Sequence, residues 1–339
     1  MPRRPFGQES QPQAQAGLGE EQLIEKQLKD FGASPTVIQK LKSRHMLTMR
    51  DMRYVVAMTP DELIEELALT SYEQAYKLQE AAKRIIGYRN TLMTASQLAQ
   101  QKTTTSSLLT TGVKSIDELM GGGLSGGEIY EFAGEFGTGK TQLSHQLSVT
   151  VQLPRDKGGF GAKAVYIDTE TTFSPERIEA MAKRFGVENA LDNIYIYRPL
   201  NTGELENFVR HDLNTLLDQG VRLVVVDSVI ALYRAQFKGL EWLSRRQQSI
   251  NYLLDWLKRW GRIYGAPVII TNQVLTHPLP SGIALKVPAG GNIIAHASTH
   301  RFFLKKSGDV WLIECIDSPR IPKNATAQYV IKDDGVWDA

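Results

Sequence analysis

Eight consecutive residues, Gly134-Glu135-Phe136-Gly137-Thr138-Gly139-Lys140-Thr141, follow the spacing G-x-x-x-x-G-K-[ST] at every fixed position. Three glycines let the backbone wrap closely around a polyphosphate. Its N–H groups then point inward at the head of the following helix, where the helix dipole favours negative charge. Lys140 would reach the β- and γ-phosphates of ATP, and the Thr141 hydroxyl would ligate Mg²⁺. A glycine turn before any helix could arise by chance. Here Ile129 to Ala133 reads as a strand and Gln142 to Val149 as a helix, which is the context the motif requires.

Three further polar groups stand at the ends of apolar runs. Leu223 to Val226 ends in Asp227, placed to serve as the outer Mg²⁺ ligand opposite Thr141. Ala164 to Ile167 ends in Asp168-Thr169-Glu170. A carboxylate beside the γ-phosphate can orient an attacking water, and Glu170 is the candidate. The alternative is a surface cap for the helix that starts near Ser174-Pro175-Glu176, with Asp168 structural. Pro267 to Ile270 ends in Thr271-Asn272-Gln273, where an uncharged amide could sense the γ-phosphate. Ligands of open parallel sheets sit at the carboxyl ends of strands, so these ends should converge.

The elements that must position these groups follow from the pattern. From Leu108 onward, short apolar runs alternate with helical stretches, which predicts an α/β fold with a mostly parallel sheet. Ala164–Ile167, Ile194–Tyr197, Leu223–Val226 and Pro267–Ile270 are continuous enough to be strands buried on both faces. His300 to Leu304 and Asp309 to Ile316 flank Lys305-Lys306-Ser307-Gly308 and so predict a hairpin. Leu254, Leu257 and Tyr264 continue a core face begun by Ile250 and Leu253.

Ahead of this core the composition changes. Residues 1–18 hold prolines, glutamines and glycines and read as a disordered tail. Residues 19–87 carry four or five short helices and no strand, with Leu23, Ile24, Leu28 and Phe31 spaced on one face. This block has the outline of a helix-hairpin-helix module, but its turns, Gly32-Ala33-Ser34 and Leu69-Thr70-Ser71, are poor in glycine. DNA binding and a protein-contact or packing role both remain open for it. Residues 88–108 read as a polar linker that contains Leu92-Met93-Thr94-Ala95, and the ATPase core spans 109–339.

The whole chain has 339 residues, 42% hydrophobic and 22% charged, with a net charge of +2. That composition is ordinary globular material, and the charge is too small to argue nucleic-acid binding by itself. Any basic surface must be local. Between Trp256 and Gly308 there is no Asp or Glu, while Lys258, Arg259, Arg262, Lys286, Arg301, Lys305 and Lys306 all lie there. Such asymmetry suits a polyanion. Leu275 to Pro288 reads as a long mobile loop leaving the ATP site, and Tyr233 to Gly239 as a second loop. Arg234, Lys238, Arg245, Arg246 and Lys286 would neutralise phosphates there without reading sequence. The lone Cys315 excludes an intrachain disulfide and suggests a reducing compartment. No apolar run reaches membrane-helix length, and the N-terminus has no signal core. No membrane partner is expected.

With these motifs in place, the chain resembles the RecA/RadA strand-exchange family, the archaeal RadA recombinases in particular. The resemblance covers residues from about 20 to 339. It rests on Gly121-Gly122-Gly123-Leu124, Tyr166-Ile167-Asp168-Thr169-Glu170, Pro175-Glu176-Arg177-Ile178, Arg246-Gln247-Gln248, Thr271-Asn272-Gln273-Val274, Gly290 to Ala297, and Ile316-Asp317-Ser318-Pro319 with Pro322. It implies a DNA-dependent ATPase with a RecA-like core. Such proteins form filaments on single-stranded DNA and pair it with a homologous duplex in recombination and repair.

The resemblance also implies residue roles. Glu170 matches the water-activating glutamate, Gln273 the γ-phosphate sensor, and Arg177 an arginine stacked on adenine. Asp317, Pro319 and Pro322 match a cap over the neighbouring protomer's ATP, with a monovalent cation near Asp317. His296 matches a residue that couples that ATP to the DNA loops. Arg234 and Arg246 match contacts of the first DNA loop, and Val274 to Ala289 the second loop. Leu92 and Ala95 align with a polymerisation motif that docks on the next subunit, although Thr94 could equally cap a helix start. The implied partners are single- and double-stranded DNA, further copies of the chain in a filament or ring, and recombination mediators. The implied location is the cytoplasm, at the nucleoid. Leu92 stands where the family has Phe, and Leu240 and Ser174 where it commonly has Arg. These departures allow a mediator that exchanges no strands; a RecA-fold helicase motor is a further alternative, against which the helical N-terminal block and the Leu92 to Ala95 linker argue.

Overall fold

The structure is a computed structural model that describes residues 19–88, 92, 94–97, 108–278 and 284–339. The expected tail at 1–18 and most of the expected linker at 88–108 lie outside the described residues. The chain divides into two compact units, Met1–Thr91 and Leu92–Ala339.

The first unit contains α1 (Glu20–Asp30), α2 (Pro35–Ser43), α3 (Met49–Ala57), α4 (Pro60–Leu67) and α5 (Tyr72–Ile85). Short-range chemistry starts the helices. Thr48 with Asp51, and Thr59 with Glu62, form reciprocal capping boxes. Ser34 and Ser71 cap α2 and α5. Each cap is worth about 1 kcal/mol. Ile24, Leu28, Leu41, Leu63 and Leu78 close the core. Leu23 differs from expectation and is 40% exposed, because the buried stripe of α1 runs through positions 24 and 28 and leaves 23 on its rim. In the α4–α5 turn, which lacks glycine, Ala68 takes the left-handed conformation with φ 49°.

The second unit is built on nine strands. They are β1 (Ile129–Gly134), β2 (Lys163–Asp168), β3 (Ile194–Tyr197), β4 (Val221–Asp227), β5 (Val268–Asn272), then β8 (His300–Ser307), β9 (Val310–Asp317), β10 (Thr326–Lys332) and β11 (Gly335–Asp338). The order is β11-β10-β9-β8-β1-β5-β4-β2-β3. Strands β8, β1, β5, β4, β2 and β3 run parallel, and β9 to β11 are added antiparallel. Helices α6 (Lys114–Leu119), α7 (Lys140–Thr150), α8 (Pro175–Phe185), α9 (Thr202–Asn207), α10 (Leu213–Asp218), α11 (Ala231–Gln236), α12 (Leu243–Tyr264) and α13 (Gly291–Ala297) complete the unit. Strands β4 and β5 are buried almost throughout, as continuous apolar runs require. Strand β3 departs from that expectation: it is the sheet edge, and Ile196 is 39% exposed.

Two segments expected as loops have regular structure. Val274–Pro278 and Ala284–Pro288 form an antiparallel hairpin, β6–β7, in which Leu275 lies opposite Val287 and Thr276 opposite Lys286. Part of the Tyr233–Gly239 segment is helix α11, whose Tyr233 is buried and donates to Glu206 at 3.0 Å. The basic segment between Trp256 and Gly308 is also less free than its sequence implied. Arg259 pairs with Asp255, Arg301 with Glu131, Lys305 with Glu314 and Lys286 with Glu135. Their partners lie outside the segment, so one-dimensional charge counting missed them.

Two buried polar clusters hold the sheet. Glu131, fully buried in the middle of β1, accepts from Arg301 of β8 at 2.5 Å and from Asn272 of β5 at 2.7 Å. At the start of β1, Glu128 accepts from Tyr130 and Arg320, and buried His300 bridges Glu128 and Ser318. This second cluster fastens the segment after β9. Burial opposes ionisation of Glu128, but hydrogen bonds with His300, Arg320 and Tyr130 prevail and hold its carboxyl down to about 2.

Arg301→Met should therefore strand the Glu131 charge and cost roughly 3–5 kcal/mol in urea denaturation, and adding Glu131→Gln should recover part of that loss. The Glu128 carboxylate should contribute on the order of 1–2 kcal/mol after allowance for solvent screening. Its folded-state value is depressed, so this stability is complete above about pH 4.5 and is lost as pH falls through about 2. Glu128→Gln should flatten that acid limb of the stability curve, and an unchanged limb would refute the assignment.

Candidate active site

The phosphate-binding sequence turns directly off central strand β1 and into α7. Gly139 sits at the turn with φ 89°, a conformation L side chains rarely adopt, and a Cβ there would meet Ile331 at 2.8 Å. Thr138 donates to the Glu135 carbonyl at 2.8 Å, and its own carbonyl accepts from buried Tyr329 at 2.6 Å. Thr138 is thus a structural member of the loop. Phe136 is fully exposed.

A cleft of about 1050 Å³ opens at this loop. Gly134, Glu135, Phe136, Gly137, Gly139, Lys140 and Thr141 line it, and so do Gln142, Glu170, Arg177, Asp227 and Gln273. Strand register is what assembles them. Asp168 lies opposite Asp227 across β2–β4, and Ala133 lies opposite Asn272 across β1–β5, so four strand ends form one rim. Lys140 donates to the carbonyls of Gly134 and Glu135 at 2.9 and 2.7 Å. Burial lowers its pKa, against the opposing fields of Asp227, Glu170 and Glu135.

Thr141 donates to Asp227 at 2.8 Å. The two oxygen groups suit a hard divalent cation such as Mg²⁺. Among the described residues, no cluster of three or more His, Cys, Asp or Glu could hold a metal by itself, so an ion here would draw on substrate phosphates and water.

Asp168 is engaged by neighbouring backbone and side chain. It accepts from the backbone of Thr172 and Phe173 and from Arg198. Thr169 exchanges hydrogen bonds with Ser228 at the end of β4. These anchors fix both ends of the turn that carries Glu170. Ser174 itself caps α8, so Glu170 is not the cap. Glu170 instead accepts from the Gln273 amide at 2.7 Å, and the Gln273 carbonyl oxygen accepts from Arg234 at 2.7 Å. A continuous polar chain thus runs from the cleft to the last turn of α11. Arg177 donates to Gln142 at 2.8 and 2.6 Å and to the carbonyls of Lys332 and Asp333. It lies at the cleft wall with its guanidinium engaged by the β10–β11 turn.

Of the expected DNA cations, Arg234 and Lys286 touch cleft residues, Lys286 meeting Glu135 at 2.8 Å. Lys238 and Arg245 are exposed and Arg246 half-buried, and none of the three lines the cleft. The Arg245 guanidinium lies over Trp242. Asp317, Pro319 and Pro322 are exposed and do not line the cleft of their own chain. Asp317 pairs with Arg301 near the start of the parallel strands, the end remote from Gly134. His296, Leu92 and Ala95 are exposed too, and none lines the cleft. Thr94 forms a reciprocal cap with Gln97, so the helix start that its sequence allowed is present.

Sequence reasoning missed several residues. Trp311 of β9 lines the cleft and donates to the Gly137 carbonyl at 3.0 Å, and Ile331 of β10 lines it as well. Val274 and Thr276 contribute from the hairpin. Behind the rim, Tyr166 and Thr271 donate to Asp227. His145 packs against Tyr166 and Phe173, and burial holds its imidazole down to about 4. Tyr166, Thr271 and Val274 stand inside motifs that carry the resemblance, but no role at the cleft was attached to them. Only the alternation that puts Tyr166 and Asp168 on one face of β2 hinted at a shared side.

Comparison with known proteins agrees with this geometry. A family model described as Rad51 matches residues 101–339. The chain is 37% identical over 325 residues to the DNA repair and recombination protein RadA of Aeropyrum pernix, an alignment that covers 95% of this chain and 99% of that protein. A shared sequence over nearly the full length of both chains, together with a phosphate loop set in a mostly parallel sheet, places this chain in the Rad51/RadA family of RecA-like recombinases.

Proposed function

We propose that the chain is a DNA-dependent ATPase of recombination and repair, which assembles on single-stranded DNA and exchanges strands with a homologous duplex. The observation that carries this reading is the Glu170–Gln273–Arg234 chain. It joins the carboxylate placed to orient water to a cation placed to meet a DNA phosphate. Binding at either end changes what Gln273 can bond to at the other.

The residue roles follow from position. Backbone N–H groups at the head of α7 receive the phosphates, and Lys140 exchanges its two carbonyl bonds for phosphate oxygens. Thr141 and Asp227 would hold Mg²⁺, which when bound neutralises phosphate charge. Glu170 orients the attacking water once Gln273 leaves it for the γ-phosphate. Arg177 and Gln142 form the wall toward the base. Lys238, Arg245 and Arg246 join Arg234 and Lys286 in neutralising DNA phosphates without selecting sequence.

Asp317, Pro319, Pro322 and His296 are exposed and do not line their own cleft, which supports a role at the cleft of an adjoining copy. A monovalent cation at Asp317 belongs to the same reading. Leu92 is fully exposed and Ala95 lies three positions on, which supports docking of this segment on a further copy. The helical unit at 19–87 serves as an accessory module to the ATPase core at 109–339. Mediators remain partners of this assembly, and DNA association would put it at the nucleoid. Among the described residues, no helix is long and apolar enough to cross a membrane.

Strand exchange with the purified protein tests the function directly, and its absence alongside intact DNA-stimulated hydrolysis would point to a mediator instead. Lys140→Ala should lower hydrolysis on the order of 100-fold, as loss of one preorganised phosphate donor does. Arg234→Ala should lower DNA stimulation of hydrolysis more than the DNA-free rate, and equal losses in both would break the proposed chain. Leu92→Phe should strengthen self-association in light scattering and Leu92→Asp should weaken it. Insensitivity to both would remove Leu92 from the contact.

A further inference from the structure

Asp227 is 2% exposed and ends strand β4 at the floor of the cleft. Its carboxylate is gripped by three hydroxyl groups from three other elements. Thr141 of α7 and Tyr166 of β2 both donate to Oδ2, at 2.8 and 2.6 Å. Thr271 of β5 donates to Oδ1. Only Thr141 and Asp227 line the cleft, while Tyr166 and Thr271 lie behind it, fully buried. From these positions Tyr166 and Thr271 can act on a bound ion only through Asp227.

We propose that Tyr166, seconded by Thr271, is a positioning residue for the divalent cation, fixing the rotation of the Asp227 carboxylate so that it and the Thr141 hydroxyl present oxygen to the ion together. The inference rests on the reading of Thr141 and Asp227 as the cation site. Carboxylates that meet metal sites are themselves hydrogen-bonded, and such outer partners set affinity by fixing orientation. A carboxylate has one free rotation about its Cβ–Cγ bond. Thr141 itself faces the ion, so only Tyr166 and Thr271 anchor the carboxylate independently of it: together they hold each oxygen from a separate strand and stop that rotation, whereas loss of either leaves one oxygen unheld from behind and the rotation hinged.

The phenol suits this task. A phenol hydroxyl has one proton to give, and here it goes to Asp227 Oδ2. Its ring is braced edge-on against Phe173 at 5.0 Å and packs at a tilt against His145 at 5.3 Å. The Thr141 proton also goes to Asp227, which leaves the Thr141 oxygen lone pairs for the cleft.

Tyr166→Phe keeps the ring packing and deletes only the donor. Binding of a fluorescent ADP analogue to the full chain, in EDTA and across a Mg²⁺ titration, separates the roles. In EDTA, Tyr166→Phe should bind within about twofold of wild type, and the Mg²⁺ concentration giving half of the metal-dependent gain should rise roughly 10-fold or more. Thr271→Val removes the donor on the other oxygen, should show the same split, and serves if Tyr166→Phe does not fold. An unchanged Mg²⁺ midpoint in the folded variants would overturn the proposal, because a merely structural tyrosine lowers thermal stability without moving that midpoint. Asp227→Asn tests the underlying reading separately. If wild type gains nothing from Mg²⁺, or Asp227→Asn keeps the gain, the cation site itself is wrong and the proposal falls with it.

Discussion

Hydrogen-bond register between parallel strands is the constraint on which this molecule depends. The residues of the cleft are far apart in sequence and become neighbours because β1, β5, β4 and β2 end in step. A one-residue slip in any of these pairings would send that strand's side chains to the opposite face. Buried polar groups help fix the register. Glu131 in β1 is satisfied by Asn272 of β5 and Arg301 of β8, so both strands beside β1 are tied to one carboxylate. An unpaired charge at that depth costs several kcal/mol, which penalises any pairing that separates the three.

The same register sets up the chemistry. Asp227 is held from α7, β2 and β5 at once, and the turn carrying Glu170 is pinned at Asp168 and at Thr169. The cleft therefore has a rigid floor. Its outer side differs: Glu170, Gln273, Arg234, Glu135 and Lys286 meet through pairs that solvent reaches. Pairs of that kind contribute about 0–1 kcal/mol each, weak enough to be exchanged for phosphate contacts. A fixed floor beside an exchangeable polar rim is what the proposed nucleotide-dependent switch requires.

Electrostatics here is local and three-dimensional. The chain carries a net charge of +2, and its acid-free stretch seemed to offer seven cations to a polyanion. Folding places carboxylates from β1, β9, α12 and the phosphate loop beside four of them. Arg301 and Lys305 hold the sheet together, whereas Lys286 meets Glu135 of the phosphate loop in a solvent-exposed pair. The cluster of Glu128, His300, Ser318 and Arg320 has a comparable part at the other end of the sheet, where it fastens the segment that carries Pro319 and Pro322.

What the sequence by itself determined was whatever depends on contiguous residues. A phosphate loop is eight residues whose spacing and glycines dictate their own shape, so Gly134 to Thr141 was legible. Apolar runs closed by Asp227, Glu170 and Gln273 named the strand ends, because β4 and β5 are buried on both faces and show it in composition. What only the tertiary structure decided was which residues meet across the sheet. Tyr166 and Thr271 reach Asp227 from 61 and 44 residues away, and Trp311 reaches Gly137 from 174. Nothing local marks such partners, since they follow from strand order. The hairpin at 274–288 was hidden by its prolines and the exposure of β3 by its apolar composition, because pairing and edge position are properties of neighbours, which a linear pattern does not contain.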